Sequence, residues 1–455
     1  MTSTTRERTT PRVVVIGGGM AGARLVRQLT AARPGGAGTA PGALTVIGEE
    51  PSAPYNRVLL AEVLAGRYAP QVIELPAPGA GVDWRSGVRA VAIDRDARLV
   101  RCDDGGEIGY DALVLATGAN PVLPPLRGLF APGRQDLPDG VHPFRTLDDC
   151  RALAAAARPG GPAVVIGGGL LGVSAARALA ARGAQVVLAH QGEHLMEHQL
   201  DPGAAELLRD HLTALGIEVH TECRVRGIET AVPDAARPGT RRVRAVELAD
   251  GFRLDAELVV LACGVRPRTG LAVAAGLDVG LGIRVDDSLR TSDPRIHAVG
   301  DCAEHRGTVY GLAGAAQEQA DALARVLAAP GAPAPAGTAP EPDPAAPAYT
   351  GTRLLTRLTL AAGGAPATGS APTGSAPFDL ASFGRTTPLP GDDVIRLADA
   401  TRTAYRKVVV RGDRLVGGIL LGDLGTVGAL ARTWEGDEQL PAAPLLHLLT
   451  TDGGF

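Results

Sequence analysis

Residues 12–22 read Arg-Val-Val-Val-Ile-Gly-Gly-Gly-Met-Ala-Gly, and residues 162–172 read Pro-Ala-Val-Val-Ile-Gly-Gly-Gly-Leu-Leu-Gly. The same unit returns after 150 residues. In each copy a short apolar run predicts a buried strand, a glycine-rich turn follows, and helical periodicity comes next, over 23–32 and 173–182. A second strand is predicted after each helix, over 43–47 and 184–189. Strand, turn, helix and strand in this order form the setting in which Gly-x-Gly-x-x-Gly cradles a dinucleotide. Gly17, Gly19 and Gly22 supply the pattern in the first copy, and Gly167, Gly169 and Gly172 in the second. The first glycine allows a tight turn, the second lets backbone approach a pyrophosphate, and the third lets helix and strand pack closely. The residues between them, Met20-Ala21 and Leu170-Leu171, then bring a helix N-terminus with free N–H groups to the phosphates.

An acid ending the second strand accepts hydrogen bonds from ribose hydroxyls. Glu49 and Glu50 stand there in the first copy, about 30 residues on rather than the usual 20 or so, because the loop over 33–42 is long. His190 stands there in the second copy, and no arginine follows within four residues to pair a 2′-phosphate. NADH is therefore expected over NADPH. Two fingerprints imply two dinucleotides, and the economical pair is FAD with NAD(P)H, since a flavin takes a hydride and releases single electrons. Two further stretches fit a flavin site. Residues 113–121, Leu-Val-Leu-Ala-Thr-Gly-Ala-Asn-Pro, run a strand into a Thr-Gly turn, and residues 291–301, Thr-Ser-Asp-Pro-Arg-Ile-His-Ala-Val-Gly-Asp, end a strand in Gly-Asp.

The rest of the 455-residue chain is read around these units. Buried strands are expected over 110–116, 256–262 and 295–300, and helices over 148–157, 202–215 and 312–328. Residues 331–348 form a Pro/Ala linker, and 361–377 are expected to be a disordered loop of similar composition. Short β-like runs from Tyr405 onward make 349–455 a small α+β domain.

Composition excludes several classes. The formal net charge of −4 gives no electrostatic case for nucleic acid or an anionic membrane surface. The single lysine, Lys407, sits in Tyr-Arg-Lys-Val, which rules out a P-loop and leaves little room for Schiff-base chemistry. The five cysteines show no Cys-x-x-Cys and no zinc or iron–sulfur spacing, so a redox dithiol close in sequence and a metal site are not expected. Their odd number and the polar N-terminal stretch suit a reducing cytoplasm, and no run of about 18 apolar residues predicts a membrane span. Cys302 reads as a small buried residue.

With these motifs the chain resembles the FAD/NAD(P)H reductases with two dinucleotide domains, the pyridine nucleotide–disulfide oxidoreductase superfamily. Residues 49–57, 194–201, 263–267 and 300–307 look like the FAD/NADH portion of assimilatory nitrite reductase large subunits. They look equally like the electron-transfer subunit of assimilatory nitrate reductases. The pieces Ala381-Ser-Phe-Gly384, Tyr405-Arg-Lys407 and 415–423 match as well.

The resemblance implies an α/β fold with two Rossmann-like domains of glutathione-reductase type and a small C-terminal α+β domain. An FAD domain would span 1–145 and 285–330, and an NAD(P)H domain 146–284. It places Arg57 by the FAD phosphates, Ala116, Thr117 and Gly118 near the flavin, Gly300 and Asp301 on the ribityl chain, and Ala316 and Gln317 at a helix facing the flavin ring. Gly264 joins the NAD(P)H site.

The implied activity is FAD-dependent NAD(P)H:acceptor oxidoreduction, with nicotinamide meeting flavin and electrons leaving to an external protein. No catalytic side chain is required, because the flavin does the chemistry. The expected acceptor is a nitrate or nitrite reductase subunit or an iron–sulfur protein; the alternatives are a rubredoxin or ferredoxin reductase serving a monooxygenase, and a non-catalytic flavin-binding regulatory protein. Two positions depart from the family pattern: Glu62 where relatives carry lysine, and Ser174 where most carry glutamate. The chain stops at Phe455 without cysteine clusters, so it is expected to supply electrons rather than reduce nitrite itself.

Overall fold

A computed structural model describes residues 11–31, 43–77, 79–231, 241–328, 348–360, 378–399, 403–422, 424, 427–440 and 449. The expected loop over 361–377, and the linker over 331–348 apart from its last residue, lie outside these. The described residues fall into two compact units. One comprises Met1–Val58, Gln71–Asn120 and Arg266–Thr352, the other Leu59–Pro70, Pro121–Val265 and Arg353–Phe455.

The first unit is built on a five-stranded parallel sheet. Its order is Ile296–Ala298, Ala112–Leu115, Val13–Ile16, Leu44–Gly48, Val82–Ser86. Val13–Ile16 and Ala112–Leu115 are buried throughout, as uninterrupted apolar runs in a sheet covered on both faces must be. Val13–Ile16 lies between Leu44–Gly48 and Ala112–Leu115, so its carboxyl end is the point where strand order reverses. Helix Met20–Ala31 packs beside helix Ala313–Ala328, where Asp321 accepts hydrogen bonds from Arg24 at 2.7 and 2.8 Å and from Gln28 at 2.6 Å.

The second unit repeats the plan. Its parallel sheet runs Ile217–His220, Gln185–Ala189, Pro162–Ile166, Leu258–Leu261, Val141–Pro143. A separate antiparallel sheet of five strands, with Leu355–Leu360 and Asp393–Asp399 at its edges, packs Leu420, Val408 and Phe383 against Trp434 of helix Val427–Glu435. The sheet and its helix have the α+β character expected from the short β runs, and they fall within the second compact unit.

Both glycine-turn helices begin earlier than the periodicity suggests, at Met20 and Leu170 instead of 23 and 173. The third glycine of each turn breaks the apolar period, yet it lies inside the helix, where the absence of a side chain is what the packing requires. Helix Leu147–Ala156 follows a capping box. Thr146 Oγ1 accepts the Asp149 N–H at 3.1 Å and the Asp149 carboxylate accepts the Thr146 N–H at 2.8 Å. Thr146→Ala should lower stability by about 1 kcal/mol, measurable as a lower denaturant midpoint with an unchanged slope.

Candidate dinucleotide sites

In both units the three glycines divide the work in the same way. At Gly17 (φ +119°) an added Cβ would stand 2.1 Å from the Ala116 carbonyl oxygen, and at Gly167 (φ +114°) 2.3 Å from that of Ala262. At Gly22 it would meet the Gly17 oxygen at 2.0 Å, and at Gly172 the Gly167 oxygen at 1.7 Å. The middle glycines are different. Gly169 has nothing within 4 Å, and Gly19 has only the Arg57 guanidinium at 3.9 Å. Outer glycines therefore close the turn, and the middle one leaves open space above bare backbone. Neither following helix carries an acid in its first turn, so each N-terminus keeps its attraction for an anion. Both turns fit a pyrophosphate.

Around the first turn the predicted residues gather. Arg57 pairs with Glu50, stacks 5.0 Å from the Tyr55 ring, and keeps its cation beside Gly19. Burial works against that charge, but Tyr55, Glu50 and Asp301 outweigh it and raise the arginine pKa. Glu50 also accepts the Tyr55 hydroxyl at 2.7 Å. Glu49, expected on a ribose, accepts Arg268 Nη1 through Oε2, and Arg268 Nε donates to Asn120. Thr117 donates to the Arg268 carbonyl at 2.9 Å, and Gly118 accepts the Arg268 N–H at 2.9 Å, which anchors the Thr-Gly turn.

Gly300 (φ +80°) opens a short turn that places Asp301 one residue on, and its N–H donates to Gln319 at 2.7 Å. Ala316 and Gln317 lie in the first turns of Ala313–Ala328. Sequence reasoning missed Arg268 and Gln319. Gln319 had a signal, being a polar residue in the buried stripe with Ala315, Ala316, Ala320 and Leu323. Arg268 had none, since its partners lie 148 and 219 residues away.

Around the second turn, the His190 ring packs against Gly168, and His190 Nδ1 accepts the Gly168 N–H at 3.1 Å. Burial lowers the pKa of this imidazole despite Glu197 nearby, which favours the neutral ring. Gly264 (φ +93°) has open space around it. Ser174 is buried and donates to the Leu170 carbonyl at 2.7 Å, so its hydroxyl is spent inside its own helix. One turn further, buried Arg177 donates to Glu62 at 2.6 Å, and Arg67 reaches the other oxygen of Glu62 at 2.7 Å. The two departures from the family pattern thus lie near one charged cluster within the second unit.

Cys302 is fully buried, its thiol donates to the Leu115 and Val299 carbonyls at 3.3 Å, and burial raises its pKa, which suits a packing role. All five cysteines are free. Among the described residues no group of three or more His, Cys, Asp or Glu is placed to hold a metal, and no helix is long and apolar enough to cross a membrane.

Two parallel-sheet units, each with an open glycine turn at the carboxyl end of its central strand, are the arrangement of a protein able to hold two dinucleotides. A family model described as pyridine nucleotide-disulphide oxidoreductase matches residues 11–320, and one described as rubredoxin NAD+ reductase C-terminal domain matches 376–433. The chain belongs to the pyridine nucleotide-disulphide oxidoreductase family. FAD and a nicotinamide nucleotide are the cofactors that this membership implies.

The chain is 33% identical over 416 residues to an assimilatory nitrate reductase electron transfer subunit of Bacillus subtilis, covering 90% of this chain and 48% of that protein. It is 30% identical over 452 residues to the nitrite reductase (NADH) large subunit of Escherichia coli, covering 97% and 48%. It thus spans about half the length of these curated relatives. Among solved structures, a covalent putidaredoxin reductase–putidaredoxin complex superposes with a TM-score of 0.77 at 25% identity, covering 97% of this chain and 96% of that one.

Proposed function

We propose that this protein takes reducing equivalents from NADH and delivers them to a separate redox protein, in the first instance the reductase of nitrate or nitrite assimilation in the cytoplasm. The observation that carries this reading is the repeated turn. Two sterically equivalent cradles occur in one chain. Among the described residues the first has a cation, Arg57, beside its middle glycine, whereas nothing lies within 4 Å of a Cβ on the middle glycine of the second, and the Gly300-Asp301 turn belongs to the unit of the first. FAD fits the first cradle, with Gly17, Gly19, Gly22 and Arg57 around its phosphates and Thr117, Gly118 and Asp301 toward its ring and ribityl chain. NADH fits the second, on Gly167, Gly169 and Gly172. When bound, the flavin accepts a hydride from the nicotinamide and releases electrons one at a time.

The chain's own part is placement and electrostatics. Arg57, held charged by Glu50 and Tyr55, offsets pyrophosphate charge. Thr117 and Gly118 are fixed by Arg268, and the Gly300 turn by Gln319, so the groups lining the cofactor are set before it binds. The free, widely spaced cysteines leave no dithiol relay close in sequence, so the electrons leave the flavin for an acceptor outside these residues. The similarity of residues 376–433 to a rubredoxin reductase domain keeps a small iron–sulfur acceptor as a second reading.

The test is anaerobic. Purified protein should be yellow, NADH should bleach its visible flavin absorbance, and bleached protein should recover its colour on mixing with the cognate acceptor. Bleaching with recovery on a rubredoxin or ferredoxin but not on an assimilatory reductase selects the second reading. Retained FAD that neither nicotinamide nucleotide reduces would overturn both.

A further inference from the structure

The second cradle lacks the strand-end carboxylate that ordinarily receives the adenosine ribose, and His190 does not replace it. The ring of His190 serves the turn itself. An added Cβ on Gly168 would lie 2.7 Å from its Cγ, and its Nδ1 is occupied by the Gly168 N–H. Nε2 is buried. Nor does the chain that follows the strand offer a lysine or arginine for a 2′-phosphate, since none occurs between Arg182 and Arg209.

The chain beyond His190 turns back over the cradle. The Met196 N–H donates to the Gly168 carbonyl at 3.0 Å, Leu195 is buried against Gly168, and Met196 takes φ +54° to make the bend. The bend delivers Glu197 onto the backbone just past the strand. Its Oε1 accepts the Glu193 N–H at 2.9 Å, and its carboxylate lies flat on Gly192, where an added Cβ would stand 2.3 Å from Oε1 and 2.6 Å from Oε2. A side chain at position 192 would expel it. Glu197 is exposed, and among the described residues it forms no ion pair, so its charge faces outward.

We propose that Glu197 is the specificity-determining residue of the second cradle, taking over the role of the missing strand-end acid. Its carboxylate accepts the ribose 2′-hydroxyl and disfavours a 2′-phosphate by like-charge repulsion. The proposal rests on the reading of this cradle as the nicotinamide nucleotide site.

The experiment uses the full, FAD-loaded chain and two readouts: kcat/KM for flavin reduction by NADH and NADPH, and dissociation constants of NAD+ and NADP+ by fluorescence quenching. In Glu197→Gln the amide oxygen still accepts the Glu193 N–H, so the fold is kept. The preference for NADH, and for NAD+ over NADP+, should fall roughly tenfold, with the larger part gained by the phosphorylated nucleotide. The wild-type preference should also shrink as ionic strength rises, which a purely structural role would not produce. Glu206→Gln, on the helix beyond, should leave both ratios unchanged.

A ratio within twofold of wild type in Glu197→Gln, or an equal loss for both nucleotides, would overturn the proposal. Failure of the underlying reading looks different, since the wild-type protein would then bind and oxidise neither nucleotide.

Discussion

Asp201→Ala is expected to cost about 3–5 kcal/mol, the range for removing one partner of a buried ion pair. Asp201 Oδ1 caps helix Pro202–Ala214 by accepting the Ala204 N–H at 3.1 Å. Its Oδ2 accepts both the Tyr405 hydroxyl and Lys407 Nζ at 2.7 Å. The Lys407 side chain is only 6% exposed and that of Asp201 14%, so truncation strands an ammonium group away from water. The lost cap adds roughly 1 kcal/mol. The contact is the polar centre of a wider seam between this helix region and the antiparallel sheet. Ser382 donates to the Gln199 carbonyl at 2.7 Å, and His211 stacks on Phe378 at 4.3 Å.

Denaturant unfolding should therefore show the sheet losing its attachment first, as a transition split in two. Asp201→Asn with Lys407→Met should recover much of the loss, because no charge is then buried alone. A single transition at the wild-type midpoint in Asp201→Ala would refute the account.

The pH dependence follows from the same site. Burial raises the Asp201 pKa, and Lys407, Tyr405 and the helix amide together lower it further than burial raises it. A carboxyl with a folded value below its unfolded value of 3.8 stabilises the fold above that pH and ceases to do so as pH falls through the folded value. Stability of the wild type should thus decline below about pH 4, and the part of the decline due to this group should be missing in Asp201→Ala.

That partnership shows where legibility in the sequence stops. Lys407 stands out as the one lysine, and the stretch ending at Asp201 resembles relatives, but 206 residues separate them and no local period links one to the other. The strands Val13–Ile16 and Pro162–Ile166 were legible because a parallel strand buried on both faces must be apolar throughout. The six turn glycines were legible because each position has its own steric reason. The helix starts were misplaced by three residues for that same reason, since a glycine required by tertiary packing looks, in a one-dimensional pattern, like a break in the helix. His190 was legible as the residue ending the strand; the direction of its ring, which decides whether it can greet a ribose, depends on Gly168 and Leu195. Glu197 sits seven residues past His190 and becomes relevant only through the bend at Met196.

Gly172→Ala should weaken reduction by nicotinamide nucleotides on the order of 100-fold while FAD stays bound. Helix propensity alone predicts the opposite of harm, since alanine is favoured over glycine inside a helix by about 1 kcal/mol. Sterics decide. The new methyl would lie 1.7 Å from the Gly167 oxygen and 2.9 Å from the Gly167 carbonyl carbon, both backbone atoms that cannot rotate away. The helix must retreat from the strand, and the N–H groups facing the pyrophosphate retreat with it. A displacement of about 1 Å at such a site is enough for a loss on the order of 100-fold in kcat/KM. The first cradle is untouched, because Gly17, Gly19 and Gly22 belong to the other compact unit. The variant should remain yellow and bleach with dithionite, yet respond to NADH at least roughly 100-fold more weakly than wild type. Gly22→Ala is the mirror case, with its methyl 2.0 Å from the Gly17 oxygen, and should yield colourless protein that still binds NAD+. If Gly172→Ala protein lost its flavin instead, or bleached with NADH at the wild-type rate, the assignment of one nucleotide to each turn would be wrong.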